Sequence, residues 1–118
     1  MAIKYMDLVT IPHYKAGRID DIGYQYDTGS IIESGNGDSI IIPDNISEIA
    51  VTLYIDSGEG KVQTTTNLII DVISGTGIIW VDWDAGSVTS TTQDSCVPVT
   101  AIRMVNTSGT TRLLVRTQ

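Results

Sequence analysis

From Ile49 to Ile55 the chain alternates without a slip. Ile49, Val51, Leu53 and Ile55 fall on one face, and Ala50, Thr52 and Tyr54 on the other. A period of two over seven residues describes a half-buried β-strand, because successive side chains of a strand point to opposite faces. The rest of the chain has the same bias. Ile, Val, Thr and Gly are abundant and Phe is absent. β-branched side chains fit a pleated sheet and lose rotamer freedom in a helix. A chain of 118 residues makes one domain with one modest core.

Turn-forming residues divide the chain into short segments. In residues 30–43, two Ile runs flank Asn36-Gly37, a hairpin signal. Residues 56–60 read as a turn, and 61–66 as a polar strand, exposed or at an edge. Residues 67–74 favour one or two helical turns, capped by Thr66 or Asn67 and stopped at Gly75, with Ile69, Val72 and Ile73 on one side. A strand reading of the same residues stays open. Residues 78–83, which hold both tryptophans, read as a central strand. Its alternation puts Ile79, Val81 and Trp83 on one side and Ile78, Trp80, Asp82 and Asp84 on the other. Residues 85–95 read as a polar loop. Residues 97–105 and 110–118 form a terminal hairpin around a turn at 106–109, with Leu113 and Val115 on one face and Arg112, Leu114 and Arg116 on the other.

The expected fold is all-β: a single β-sandwich, jelly-roll-like, of about eight short strands with at most one short helix near 67–74. Residues 30–118 form the sandwich domain. Residues 1–29 form a less regular N-terminal arm or edge segment. Tyr5, Tyr14, Tyr24 and Tyr26 lie there, either packed across the sandwich base or placed to meet a neighbouring subunit.

The composition argues against several functions. A net charge of −7 repels phosphate, so nucleic acid is not an expected partner. No apolar run approaches the roughly 18 residues of a membrane helix, and the N-terminus lacks a signal-peptide pattern, so a soluble, unprocessed chain is expected. Cys96 is the one cysteine and His13 the one histidine, too few for a zinc site and without a nucleophile motif. Asp82-Trp-Asp-Ala-Gly86 begins like a calcium loop, but its glycine comes one place early and Gln93 stands where the loop needs glutamate. No catalytic residue, cofactor site or metal site is expected. Trp80 with Asp82 and Asp84, or Tyr54, offers a sugar-binding alternative. Arg103, Arg112 and Arg116 put three of the seven basic residues in the terminal hairpin and suggest head-to-tail complementarity between copies.

The blocks Trp80-Val-Asp-Trp-Asp-Ala-Gly-Ser-Val-Thr, Pro98-Val-Thr-Ala-Ile-Arg-Met-Val and Leu114-Val-Arg-Thr-Gln118 resemble those of small β-sandwich proteins encoded among tailed-bacteriophage virion genes. Ile49-Ala-Val-Thr-Leu and Gly60-Lys-Val-Gln-Thr-Thr-Thr fit the same picture, so the resemblance covers roughly residues 40–118. It implies a non-enzymatic structural protein, made in the host cytoplasm and carried in the virion. Capsid decoration through self-association and docking on the shell is the first expectation. A tail or head–tail junction component is the alternative. The implied partners are further copies of the chain, a trimer being the expected form, and virion proteins such as the major capsid protein. The interface candidates are Tyr5, Tyr14, Tyr24, Tyr26, Trp80, Arg103, Arg112 and Arg116.

Overall fold

A computed structural model describes residues 2–11, 21–44, 46 and 48–117. In chain order its elements are β1 (Ile3–Tyr5), β2 (Asp7–Ile11), β3 (Asp21–Asp27), β4 (Gly35–Asn36), β5 (Ser39–Ile41), β6 (Ile49–Thr65), α1 (Ile69–Ser74), β7 (Val81–Asp82), β8 (Thr92–Cys96) and β9 (Ala101–Thr117). The fold is all-β, as the alternation and the β-branched composition require, and the short helix forms where it is expected.

The strands are not all short. β6 and β9 each run 17 residues and pair antiparallel along their whole length, from Ile49↔Thr117 to Thr65↔Ala101. The two segments that read as turns, 56–60 and 106–109, therefore do not reverse the chain. They lie opposite each other in mid-ribbon, where the register slips between Ile55 and Ser57 and between Glu59 and Gly60. Gly58 faces Gly109 there, both at positive φ (81° and 73°). Facing glycines and paired slips bend the ribbon sharply, as β-bulges do. The terminal hairpin is thus corrected to one continuous strand at the centre of the fold.

The bend divides the sheet into two parts. On one side, β2, β3, the C-terminal half of β9, the N-terminal half of β6 and β8 lie in sequence. On the other, β1, β5, the N-terminal half of β9, the C-terminal half of β6 and β7 follow the same plan. The parts fold over one core. Ile49, Val51, Leu53, Leu113 and Val115 come from the first and Ile40, Val62, Ile102 and Met104 from the second, all nearly inaccessible to solvent. The expected alternation of β6 and of the C-terminal strand supplies this core directly.

Other local expectations are corrected. The Ile runs of 30–43 do not pair with each other. Residues 24–41 instead follow β9 in steps: Tyr24↔Thr117, the bridge Ile31↔Thr111, Gly35↔Asn106 and Ile41↔Ala101. Gly37 lets this track come close, donating its N–H to the Met104 carbonyl at 2.7 Å, where a Cβ would lie 2.9 Å from the same oxygen. Residues 61–65 are interior, with Val62 and Thr65 buried, because β7 covers their outer edge. Residues 78–83 are not central. Only Val81 and Asp82 pair, at that same edge, while Ile78 and Trp80 cross the outer face of the sheet. Ile79 and Val81 are exposed rather than buried with Trp83. Part of the polar stretch 85–95 does form a strand, β8, whose hydroxyl-rich sequence suits an edge. At the N-terminus β1 pairs with β5 in parallel, β2 pairs with β3, and Met6 between them is buried in the core. His13 and Tyr14 lie outside the described residues.

Candidate functional site

The outer face of the second part of the sheet is covered by a small lid. Thr65 and Asn67 build its hinge. Thr65 Oγ1 donates to Asn67 Oδ1 (3.0 Å) and accepts from the Asn67 N–H (3.2 Å). Asn67 then reaches across the connection, donating to the Gly77 carbonyl (3.2 Å) and accepting from the Ile79 N–H (2.9 Å). It ties both ends of the helical excursion together and does not cap the helix. Leu68 occupies the N-cap position with no side-chain cap bond. Gly75, at φ 72°, closes the last turn with its N–H on the Asp71 and Val72 carbonyls.

The helix buries one side chain, Val72, against Ile41 and Ala101, with Ile3, Ile78 and Trp80 around them. Ile69, Val72 and Ile73 share one side of the helix, as helical spacing requires, but six residues over a narrow patch bury only Val72. Leu68, Ile69, Ile70, Ile73 and Ile79 stay open to solvent, from 50 % exposed at Ile69 to 71 % at Leu68 and Ile79. A groove of about 420 Å³, with Ile42, Pro43 and Val99 on its walls, opens beside Leu68 and Ile69. Asp71 is the one charged residue between Thr66 and Val81. Complete burial of such side chains contributes about 1.5–3 kcal/mol each, so covering these five is worth on the order of 5–9 kcal/mol before association costs.

Below the lid a polar chain runs along the sheet. Arg103 is buried, with its guanidinium 4.3 Å from the Trp80 ring centroid and its Nε donating to Gln63 Oε1 at 2.8 Å. Burial pushes the Arg103 pKa down. Gln63 Nε2 donates to Asp82 Oδ1 at 2.9 Å, and Lys61 Nζ lies 3.2 Å from the same oxygen. These bonds, Gln63 first and Lys61 second, hold the Asp82 carboxyl below its usual range. One Trp80 face carries Arg103, and the Asp82 carboxylate is bonded to Gln63 and Lys61.

The described interface candidates fall into separate groups. Tyr24 and Tyr26 pack partly against the main core, whereas Tyr5, opposite Ile41, is exposed on the outer face that Trp80 crosses. Burial, then Asp38, Asp7 and Asp27, raises the Tyr26 pKa. Arg103 and Trp80 belong to the lid. On the other part of the sheet, Arg112 forms a bidentate pair with Asp27, using Nε at 2.8 Å and Nη2, and its guanidinium lies 5.2 Å from the Tyr54 ring centroid. Arg116 is exposed on the same face of β9. The exposed apolar residues of the α1 excursion, Leu68, Ile69, Ile70, Ile73 and Ile79, are missing from the sequence-based candidates. Their signal was the run Leu68–Ile73, which holds more apolar side chains than two helical turns can bury. Among the described residues, no three His, Cys, Asp or Glu side chains sit close enough to hold a metal ion. No family model, curated protein or solved structure matches this chain.

Proposed function

We propose that this chain is a non-enzymatic structural protein of a tailed-phage virion that docks through the apolar surface around α1, with capsid decoration as its role. The observation that carries the docking reading is the exposure of five large apolar side chains on one lid, with a single charge among them. On a chain of net charge −7 this is a place where a second copy or a shell protein meets little like-charge repulsion. The gross burial of one lid is comparable with the cost of association, so each contact is weak and many copies on a symmetric shell suit it. The virion assignment rests on the resemblance over residues 40–118.

The test is Ile70→Asp, at a position 68 % exposed and so without a packing role. Wild-type protein is expected to self-associate in sedimentation experiments, a trimer being the expected form, and to bind shells that lack it. Ile70→Asp should lose both properties at an unchanged melting temperature. A wild-type protein that stays monomeric and ignores shells, or a variant that assembles normally, overturns the proposal. Binding to tails instead of shells would move the role to the tail or the head–tail junction.

A further inference from the structure

Beyond β6 the two parts of the sheet end in β7 and β8, which do not pair with each other. Each pairs with β6 on one side, and among the described residues no strand pairs with the other edge of either. A cleft of about 610 Å³ lies between them. Ile49, Val51, Val62 and Trp83 form its floor, and Val81 and Cys96 stand on its two sides. Glu48, Asp84 and Asp94 line it as well, together with Asp82, whose charge is met by Lys61. Among the described residues, no Lys or Arg lines it.

Asp94 is placed unusually. It sits opposite Val51 in the β6–β8 ladder, so its side chain shares the core-facing side with Val51 and with Cys96, which is opposite Ile49. It is half-buried, and one of its oxygens accepts the Ser95 N–H at 2.8 Å. An inward charge on an edge strand is a known guard against indiscriminate strand pairing. It also selects, since an apolar strand added here would desolvate the carboxylate without a partner, whereas one with a cation on its inner face would pair with it.

We propose that this cleft docks one extended segment of a partner protein, whose inner face carries one Lys or Arg among apolar residues and which adds as a strand to the free edge of β8. Its backbone pairs with the N–H and C=O groups on that edge. The apolar side chains of its inner face cover Val51, Val62 and Trp83. The cation on the same face meets Asp94. The site is separate from the α1 lid and stands or falls independently of the decoration role.

Cys96 is the only cysteine and lies in the cleft, so it reports occupancy. The probe is a seven-residue synthetic peptide with blocked ends, Thr-Val-Thr-Lys-Thr-Val-Thr, whose two valines and lysine share one face of a strand. The controls are the same peptide with glutamate for lysine, and one of equal composition with its lysine moved one place, onto the opposite face. The lysine peptide is expected to slow iodoacetamide alkylation of Cys96, and neither control should. Asp94→Asn should weaken its binding about tenfold, the loss of one charge-assisted contact, and Glu48→Gln should weaken it less. The proposal is overturned by absent protection, by equal protection from the peptide with its lysine on the opposite face, or by equal affinity in Asp94→Asn. It is also overturned if Asp94→Asn alone dissolves self-association, because the occupant would then be a second copy.

Discussion

The bend of the β6–β9 ribbon depends on two facing glycines, and its energetics can be worked from the structure. At Gly58 a Cβ would lie well inside contact distance of the Ser108 carbonyl and 2.8 Å from the Gly109 nitrogen. At Gly109 it would meet the Ser57 carbonyl and the Gly58 nitrogen in the same way. Gly58→Ala therefore has two costs. Holding a non-glycine residue at φ 81° costs about 1 kcal/mol. Pushing the opposing backbone away costs about 2 kcal/mol more, the scale of overpacking. Gly75→Ala is the internal reference. Its φ, 72°, is similar, but no heavy atom lies within 4 Å of the added carbon, so only the first cost of about 1 kcal/mol applies. At about 4 °C per kcal/mol for a chain of this length, Gly58→Ala should lower the melting temperature by about 12 °C and Gly75→Ala by about 4 °C. Trp83, buried in the main core, provides the fluorescence signal, and calorimetry provides the check. The double variant Gly58→Ala/Gly109→Ala should cost less than the sum of the singles, because either one already opens the bend. Equal melting temperatures for Gly58→Ala and Gly75→Ala would refute the bend.

Two more predictions concern the core and the surface. Leu113→Ala, at a fully buried position, should cost about 3 kcal/mol in urea unfolding, whereas Leu114→Ala on the opposite face should cost under about 1 kcal/mol. Equal costs would reverse the facing of β9. The Asp27 carboxyl is held below its usual range, first by the hydrogen bond from Arg112, so the folded protein binds this proton less readily than the unfolded chain. The resulting stabilisation is present above the unfolded value of about 3.9 and fades as pH falls through the folded one. The melting-temperature gap between wild type and Asp27→Asn should be open at pH 6 and close in acid. A gap that stays constant from pH 6 to pH 2 would remove the pair from the account.

The face of each long strand was legible because period two is a local property. Ile49, Val51, Leu53, Leu113 and Val115 needed no knowledge of partners to be placed in the core. The length of those strands was not legible. Gly58 and Gly109 carry the same residue chemistry in a turn and in a bulge, and only their pairing across 51 positions of sequence separates the two. Asn106 shows the same limit. It reads as a turn residue, yet its buried amide reaches the carbonyls of Ile31, Glu33 and Gly109, at 3.0–3.2 Å, and staples the bend to the outer track. β8 was hidden because an edge strand keeps half its pattern polar. For the site, the separation of Trp80 from Trp83 followed from alternation, although the strand reading that suggested it holds for two residues only. The exposed apolar face of α1 was missed because residues 67–74 were read for what they bury.

The lid also shows which features the fold itself explains. The outer face of β5 and β9 needs a cover over Ile41 and Ala101, and Val72, Ile78 and Trp80 provide it. Asn67 fixes the excursion, and Gly75 ends the helix without help from Leu68, Ile70 or Ile73. Polar residues at those three positions would leave each of these interactions in place and make the chain more soluble. Their apolar character is therefore not required by the monomer, and the proposed association would use it. Asp94 makes the opposite case at the other edge, where a carboxylate stands on a face the monomer would fill more favourably with Val or Thr. Both surfaces depart from what the isolated fold prefers, and in different chemical directions. They are therefore expected to fail separately, with Ile70→Asp sparing the cleft and Asp94→Asn sparing the lid.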